Sequence, residues 1–146
     1  MTYTSIVCGV TGSAHSQKAA LEAAALAKQH SAKLTYVFAV DIGFLRTSVG
    51  GLSTSLAEDG LEHLGDHILE YAEQLAQSQG VTPKKVVRRG AVLEVLKQVV
   101  REEKADLLVL GHENRTVFEK ALFKGSVEDH IDELKVQTGI EVTVVK

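Results

Sequence analysis

The sequence contains very little cysteine, proline or tryptophan. Of its 146 residues one is Cys, one is Pro and none is Trp. The single cysteine, Cys8, cannot form an intramolecular disulfide, and its apolar neighbours indicate a buried, inert thiol. No run of about 18 apolar residues occurs and no basic segment opens the chain, so neither a membrane span nor export is expected. These absences predict a cytoplasmic protein.

An excess of one charge is also missing. Sixteen Lys and Arg oppose nineteen Asp and Glu, which gives a formal net charge of −3 at pH 7 with neutral histidines. Such a chain has no long-range field that draws it onto phosphate backbones or anionic lipids, so we expect neither nucleic acid nor a membrane as partner. The length suits one compact domain, and residues 1–146 are expected to form it.

Short β-branched runs alternate with longer segments of helical period. This alternation is typical of a parallel sheet whose strands are joined by crossover helices. It predicts a Rossmann-like α/β fold, an open doubly wound five-stranded parallel sheet of order 3-2-1-4-5 with helices on both faces. The predicted strands are 5–10, 34–40, 85–89, 107–110 and 140–145. The first predicted helix is an Ala-rich segment that follows the N-cap hydroxyls of Ser13 and Ser16 and runs to about His30, and the others are 61–80, 91–100 and about 126–136.

The segment 41–59 is rich in Gly, Ser and Thr and has no clear period. A connection of this length in a small domain is usually a lid or a mobile loop. We therefore expect residues 42–58 to be the most mobile part of the chain. On the helix that follows, His63 and His67 have a spacing that suits zinc. They share a polar face opposite the apolar stripe of Leu64, Ile68 and Leu75, which indicates solvent exposure.

Ligands of such a sheet are expected at the carboxyl ends of its strands. The crevice lies where the strand order reverses, beside strands 1 and 4, and the loops after Val10 and Leu110 reach it. Gly125 and Ser126, at the start of the last predicted helix, suit a phosphate because glycine permits close approach and free N–H groups attract the charge. The alternative is a turn glycine followed by an ordinary N-cap serine.

The strand-ending Gly111, the polar loop with Arg115 and the helix start Gly125-Ser126-Val127 resemble the universal stress protein family, as do the element order and length. The resemblance covers essentially the full chain and is most specific from Leu107 to Ile131. It implies a small cytoplasmic stress-response or regulatory protein with an adenine nucleotide α hydrolase-like fold. Many members bind ATP or AMP through an aspartate after the first strand and a Gly-x2-Gly-x9-Gly-Ser/Thr motif after the fourth.

The resemblance assigns site residues one by one. Gly111 matches the first glycine of the motif, and Gly125 with Ser126 matches the final pair. Asn114 occupies the place of the second glycine, with ten residues before Gly125 where the motif has nine. Thr11 stands where the nucleotide-binding members have aspartate, although its hydroxyl can still bond a base or a ribose.

The remaining implied contacts come from two other loops. Val40 and Asp41 match the place where the family holds adenine by main-chain groups, and Asp41 adds an acceptor. His112 lies in the predicted crevice, where it would meet a phosphate, or else it is simply an exposed loop histidine. Arg115 is the better phosphate partner. The implied ligand is ATP or AMP, with Mg²⁺.

Enzyme motifs are absent. The sequence has no Gly-x-Ser-x-Gly elbow, no Gly-x4-Gly-Lys-Ser/Thr loop and no Cys/His cluster, which predicts a non-catalytic binding protein, with at most slow ATP hydrolysis. Two alternatives stay open, a nucleotide-independent homodimeric interaction module and an ATP-hydrolysing enzyme of related fold. We expect a homodimer that pairs the last strands, Ile140 to Val145, because a Val-rich sheet edge is poorly protected against pairing.

Overall fold

A computed structural model describes residues 2–11, 14–40, 54–111 and 131–145 of the chain. Strands and helices alternate along these residues, as the sequence predicts. The described elements are β1 (Ser5–Gly9), α1 (Ala14–His30), β2 (Lys33–Val40), α2 (Thr54–Gln77), β3 (Lys84–Arg89), α3 (Val92–Glu102), β4 (Leu107–Gly111), α4 (Ile131–Thr138) and β5 (Glu141–Val145).

The five strands form one parallel sheet in the order β3-β2-β1-β4-β5. This is the predicted order, and the fold class is confirmed. Strand β1 lies at the centre, with Cys8 beside Tyr36 of β2 on one side and beside Val109 of β4 on the other. The chain moves outward from β1 to β3, then crosses back to continue at β4, so the order reverses between β1 and β4.

Helices cover both faces of the sheet. The cluster on one face combines β-strand side chains with α1 and α2, and the cluster on the opposite face combines them with α3 and α4. Strand β2 shows the alternation, since Tyr36 and Phe38 face α1 and α2 whereas Val37 faces α3. Burial on both faces explains why the central strands are almost continuously apolar.

Helix α1 lies close to the sheet because its inner face is made of alanine. Ala19, Ala20, Ala23, Ala24 and Ala27 are all buried. One polar bond crosses this interface, since the buried Tyr36 hydroxyl donates to the carbonyl oxygen of Ala20 at 2.7 Å. A buried hydroxyl without such a partner would cost about 1–3 kcal/mol, so this bond is needed to place a tyrosine there.

Helix α2 corrects two predictions. It begins at Thr54, so residues 54–59 of the predicted loop are helical, and 41–53 lie outside the described residues. Its core-facing residues are Leu69, Ala72 and Ala76, whereas Leu64 is 51% exposed although it belongs to the predicted apolar stripe. The helix is rotated so that its small residues contact the sheet, and this rotation depends on the sheet side chains that the helix packs against.

The two edges of the sheet differ in character. Strand β3 carries Lys84, Lys85, Arg88 and Arg89 on one edge, which agrees with the place of the third strand at the end of the predicted order 3-2-1-4-5. Strand β5 forms the other edge and is apolar after Glu141, with Val142 buried and its last three residues half-buried. Charge thus protects only the β3 edge against pairing.

Candidate functional site

The carboxyl ends of β1 and β4 lie next to each other at the point where the strand order reverses. Because Cys8 pairs with Val109, the chain leaves β1 through Thr11 at the same edge where β4 ends at Gly111. Strand β2 ends at Val40, beside Arg89 of β3, at this same edge. The structure therefore brings Thr11, Val40 and Gly111 of the predicted site to one edge.

Thr11 is held by a serine of α1. The buried Ser16 hydroxyl oxygen accepts the Thr11 backbone N–H at 2.8 Å. This bond fixes the turn between β1 and α1 and takes the Thr11 N–H away from a ligand, while the Thr11 residue itself remains exposed. Sequence reasoning considered Ser16 only as a helix cap. Its position five residues after Thr11 is the signal that a hydroxyl could reach back to the strand end.

Val40 offers less main chain to a ligand than the resemblance implies. Its carbonyl oxygen accepts the N–H of Gly90 at 3.0 Å, and its side chain is buried. Gly90 adopts a φ of 143°, a conformation that favours glycine, directly after β3. The bond orients the Val40 carbonyl towards β3, so a base at this edge would share an acceptor that is already in use.

The face of β1 that carries α3 is closed at its carboxyl end. A Cβ added to Gly9 would lie 3.1 Å from Cδ2 of Leu110 and 3.3 Å from Cδ2 of Leu96. These contacts are tight, so β4 and α3 leave no free volume beside Gly9 on that face. This face therefore gives a ligand no access to the end of β1.

Arg89 is the nearest described cation at this edge, and it is engaged by carboxylates. Its guanidinium lies 2.9 Å from Glu62 Oε2 and 3.2 Å from Asp59 Oδ1, both on α2. The hydrogen bond from Arg89 lowers the pKa of Glu62, so this carboxylate stays ionised at neutral pH. These pairs attach α2 to the sheet edge and occupy the cation that a phosphate would otherwise attract.

Most of the predicted ligand contacts lie outside the described residues. They are Asp41, His112, Asn114, Arg115, Gly125, Ser126 and Val127. The predictions for them, and for the mobility of residues 42–53, therefore stay predictions. The site as described consists of the strand ends and the Ser16 bond.

The histidine pair of α2 and the single cysteine form no further site within the described part of the chain. His63 and His67 are exposed, and no group of three or more His, Cys, Asp or Glu among the described residues is arranged to hold a metal. Cys8 is completely buried, and this burial raises the pKa of its thiol, which confirms the inert interpretation. None of the described helices is long and apolar enough to cross a membrane.

The chain was compared with known families and proteins. The profile of the universal stress protein family matches residues 2–133. The universal stress protein MJ0531 of Methanocaldococcus jannaschii is 28% identical over 130 residues, which cover 88% of this chain and 75% of that protein.

Solved structures share the fold along essentially the whole chain. A universal stress protein in complex with cAMP has 25% identity and a TM-score of 0.69, with 99% of this chain and 98% of that chain covered. The protein MJ0577 gives a TM-score of 0.77 at 18% identity, with 100% and 97% covered. A protein of this family from Burkholderia pseudomallei gives 0.74 at 22% identity, with 98% and 96% covered. The last two support the fold alone.

Proposed function

The chain belongs to the universal stress protein family, and from this premise we propose that it binds an adenine nucleotide, ATP or AMP, where β1 and β4 end. The observation that carries the proposal is the convergence of Thr11 and Gly111 at the reversal point of the sheet. A structural relative at 25% identity is a complex with cAMP, which supports an adenine nucleotide as the ligand class. The proposed role is that of a cytoplasmic stress-response protein that does not turn its ligand over.

The described residues fit such a ligand in part. Exposed Thr11 presents a hydroxyl beside Gly111, which has no side chain to obstruct the edge. Two main-chain groups count against such a ligand. The N–H of Thr11 is already bonded to Ser16 and the carbonyl oxygen of Val40 to Gly90, so fewer main-chain bonds are left for a base. Phosphate contacts would come from Arg115 and the Gly125-Ser126 helix start, with Mg²⁺ when the ligand is ATP.

Nucleotide binding is tested by mass spectrometry of small molecules released from natively purified protein, followed by calorimetric titration with AMP. The variant Thr11→Asp should bind AMP about tenfold more tightly, because a charge-assisted bond is roughly twice as strong as a neutral one. Thr11→Asn is the matched control, since it adds an amide of the same shape without charge. Absence of binding to wild type and to Thr11→Asp would refute the proposal.

Lack of turnover is tested with the same protein. Incubation with Mg-ATP should release no ADP or AMP beyond about one event per several minutes, because the sequence carries neither the Gly-x-Ser-x-Gly elbow nor the Gly-x4-Gly-Lys-Ser/Thr loop of hydrolytic enzymes. Faster turnover that is lost in Gly125→Val would identify an ATP-hydrolysing enzyme instead.

We further propose that the protein is a homodimer paired through β5. The apolar β5 edge lacks the charges that protect β3, and a two-fold axis lets one edge pair with itself. Adjacent N–H groups of a strand point to opposite sides, so of the two variants Thr143→Pro and Val144→Pro one removes an outward donor and the other removes a donor directed at β4. Sedimentation should show a dimeric wild type and a folded monomer for one of the two variants. A monomeric wild type at micromolar concentration would rule out the interface.

A further inference from the structure

A cavity of about 190 Å³ opens between α1 and α2, near the carboxyl end of β1. Its apolar floor consists of Val10, Ala20, Ile68, Ala72 and Leu75. Two of these residues are alanines, one from each helix, and their short side chains leave the space between the helices unfilled. An apolar floor offers water few hydrogen-bond partners, so this volume favours an apolar occupant over solvent.

Polar side chains surround the opening of the cavity. The exposed residues Gln17 of α1 and His67 and Tyr71 of α2 line it together with the buried Ser16, and no Asp, Glu, Lys or Arg is among the lining residues that the structure describes. Within the described part of the chain, the side chains of Gln17, His67 and Tyr71 make no hydrogen bond to another residue. The opening therefore presents donors and acceptors but no countercharge.

Size and polarity together define a ligand class. A dry apolar cavity of about 150 Å³ is large enough to hold benzene, so 190 Å³ accommodates one ring with a small substituent. A charged ligand would lose its hydration without finding an ion-pair partner, which excludes carboxylates and amines. We propose that this cavity binds a neutral, single-ring aromatic compound with one hydroxyl, of the phenol class, with the ring on the alanine floor and the hydroxyl at the polar opening.

The cavity is close to the nucleotide edge but separate from it. Val10 and Ser16 are the lining residues closest in sequence to Thr11, and the Ser16 hydroxyl accepts the Thr11 N–H. The phenol site lies on the face of the sheet that α1 and α2 cover, whereas the nucleotide is proposed at the strand ends. We therefore expect the two ligands to bind at the same time, and phenol binding does not depend on nucleotide binding.

The test is a titration of the whole protein with phenol, followed by ¹H–¹⁵N correlation spectra. Saturable shifts of the lining residues are expected, with a Kd on the order of 1 mM for so small a ligand. Toluene lacks the hydroxyl and should bind more weakly, and benzoate should not bind. Ala72→Leu fills the cavity and should weaken phenol binding by at least about tenfold, because the ring loses its apolar contacts. Gln74→Leu adds the same side chain at an exposed position outside the cavity and should leave binding unchanged.

A second variant keeps the test decisive if Ala72→Leu fails to fold. Ile68→Ala enlarges the cavity, so naphthol should gain affinity relative to phenol. Shifts that do not saturate, or equal binding of benzoate, would overturn the proposal. Undiminished phenol binding to a folded Ala72→Leu protein would also overturn it. So would spectral shifts that change with protein concentration, because these report self-association and not phenol binding. Competition between phenol and AMP would make the cavity part of the nucleotide site and would overturn the claim of a separate one.

Discussion

Two glycines of helix α2 should respond to alanine in opposite directions. Both Gly60 and Gly65 lie inside the same 24-residue helix. Alanine in a helix interior is favoured over glycine by about 0.8–1 kcal/mol because it loses less backbone entropy on folding. Helix propensity alone therefore predicts that both substitutions stabilise the protein by a similar amount.

Packing separates the two positions. A Cβ on Gly60 would meet no atom of the described residues within 4 Å, whereas a Cβ on Gly65 would overlap Cδ1 of Phe38 and lie 2.9 Å from its Cε1. Phe38 is only 8% exposed, so its ring could move only by displacing neighbouring core side chains. Forcing a methyl group into a packed core costs about 1–3 kcal/mol. We expect Gly60→Ala to gain up to about 1 kcal/mol and Gly65→Ala to lose up to about 2 kcal/mol after its propensity gain is subtracted.

Urea unfolding at pH 7 measures both changes, and each kcal/mol should move the Tm by roughly 2–4 °C for a domain of this size. The variant Phe38→Leu removes the ring atoms that the new methyl would meet. In its background the cost of Gly65→Ala should fall by about 1 kcal/mol, a coupling that a double-mutant cycle isolates. Equal stabilisation by both alanine substitutions, or no coupling to Phe38, would show that the ring does not lie against Gly65.

Three further predictions concern buried or partly buried polar groups. Hydrogen bonds from Lys33 and Lys84 lower the pKa of Glu103, so its stabilising effect should be present above about pH 4.5 and be lost as the pH falls through the lowered value. Glu103→Gln should therefore cost about 1 kcal/mol at pH 7, after allowance for two half-exposed lysines, and progressively less in urea unfolding as the pH falls below the lowered pKa, whereas a difference that does not change with pH would contradict the assignment. The Thr35 hydroxyl is buried without a hydrogen-bond partner among the described residues. In urea unfolding, Thr35→Val should therefore stabilise the protein by about 1 kcal/mol, while Thr35→Ser, which keeps the hydroxyl, should not. Destabilisation by Thr35→Val would show that the hydroxyl has a partner. Cys8 should react with a maleimide only after unfolding, because burial raises the pKa of its thiol, and rapid labelling of native protein detected by mass spectrometry would refute that burial.

The candidate site was only partly predictable. Thr11 and Gly111 were placed correctly at the reversal point, because parallel strands end at a common edge and the strand order follows from short right-handed crossovers. The resemblance implies that main-chain groups of Val40 hold a base, and the bond between its carbonyl oxygen and Gly90 was not predictable because it depends on how β3 ends beside β2. Every residue has a backbone carbonyl, so the sequence does not show whether that carbonyl already accepts a hydrogen bond from a neighbouring strand.

The sequence by itself determined the sheet, because the period of apolar residues decides which segments are strands and which are helices. It also determined which edge is charged, since Arg88 and Arg89 tolerate only an exposed strand. Tertiary structure alone decided the rotation of α2, where Gly65 meets Phe38 and Leu64 turns to solvent. That rotation depends on the fit between side chains that are far apart in the chain. The spacing of apolar residues within one helix does not contain the shape of the surface against which the helix packs.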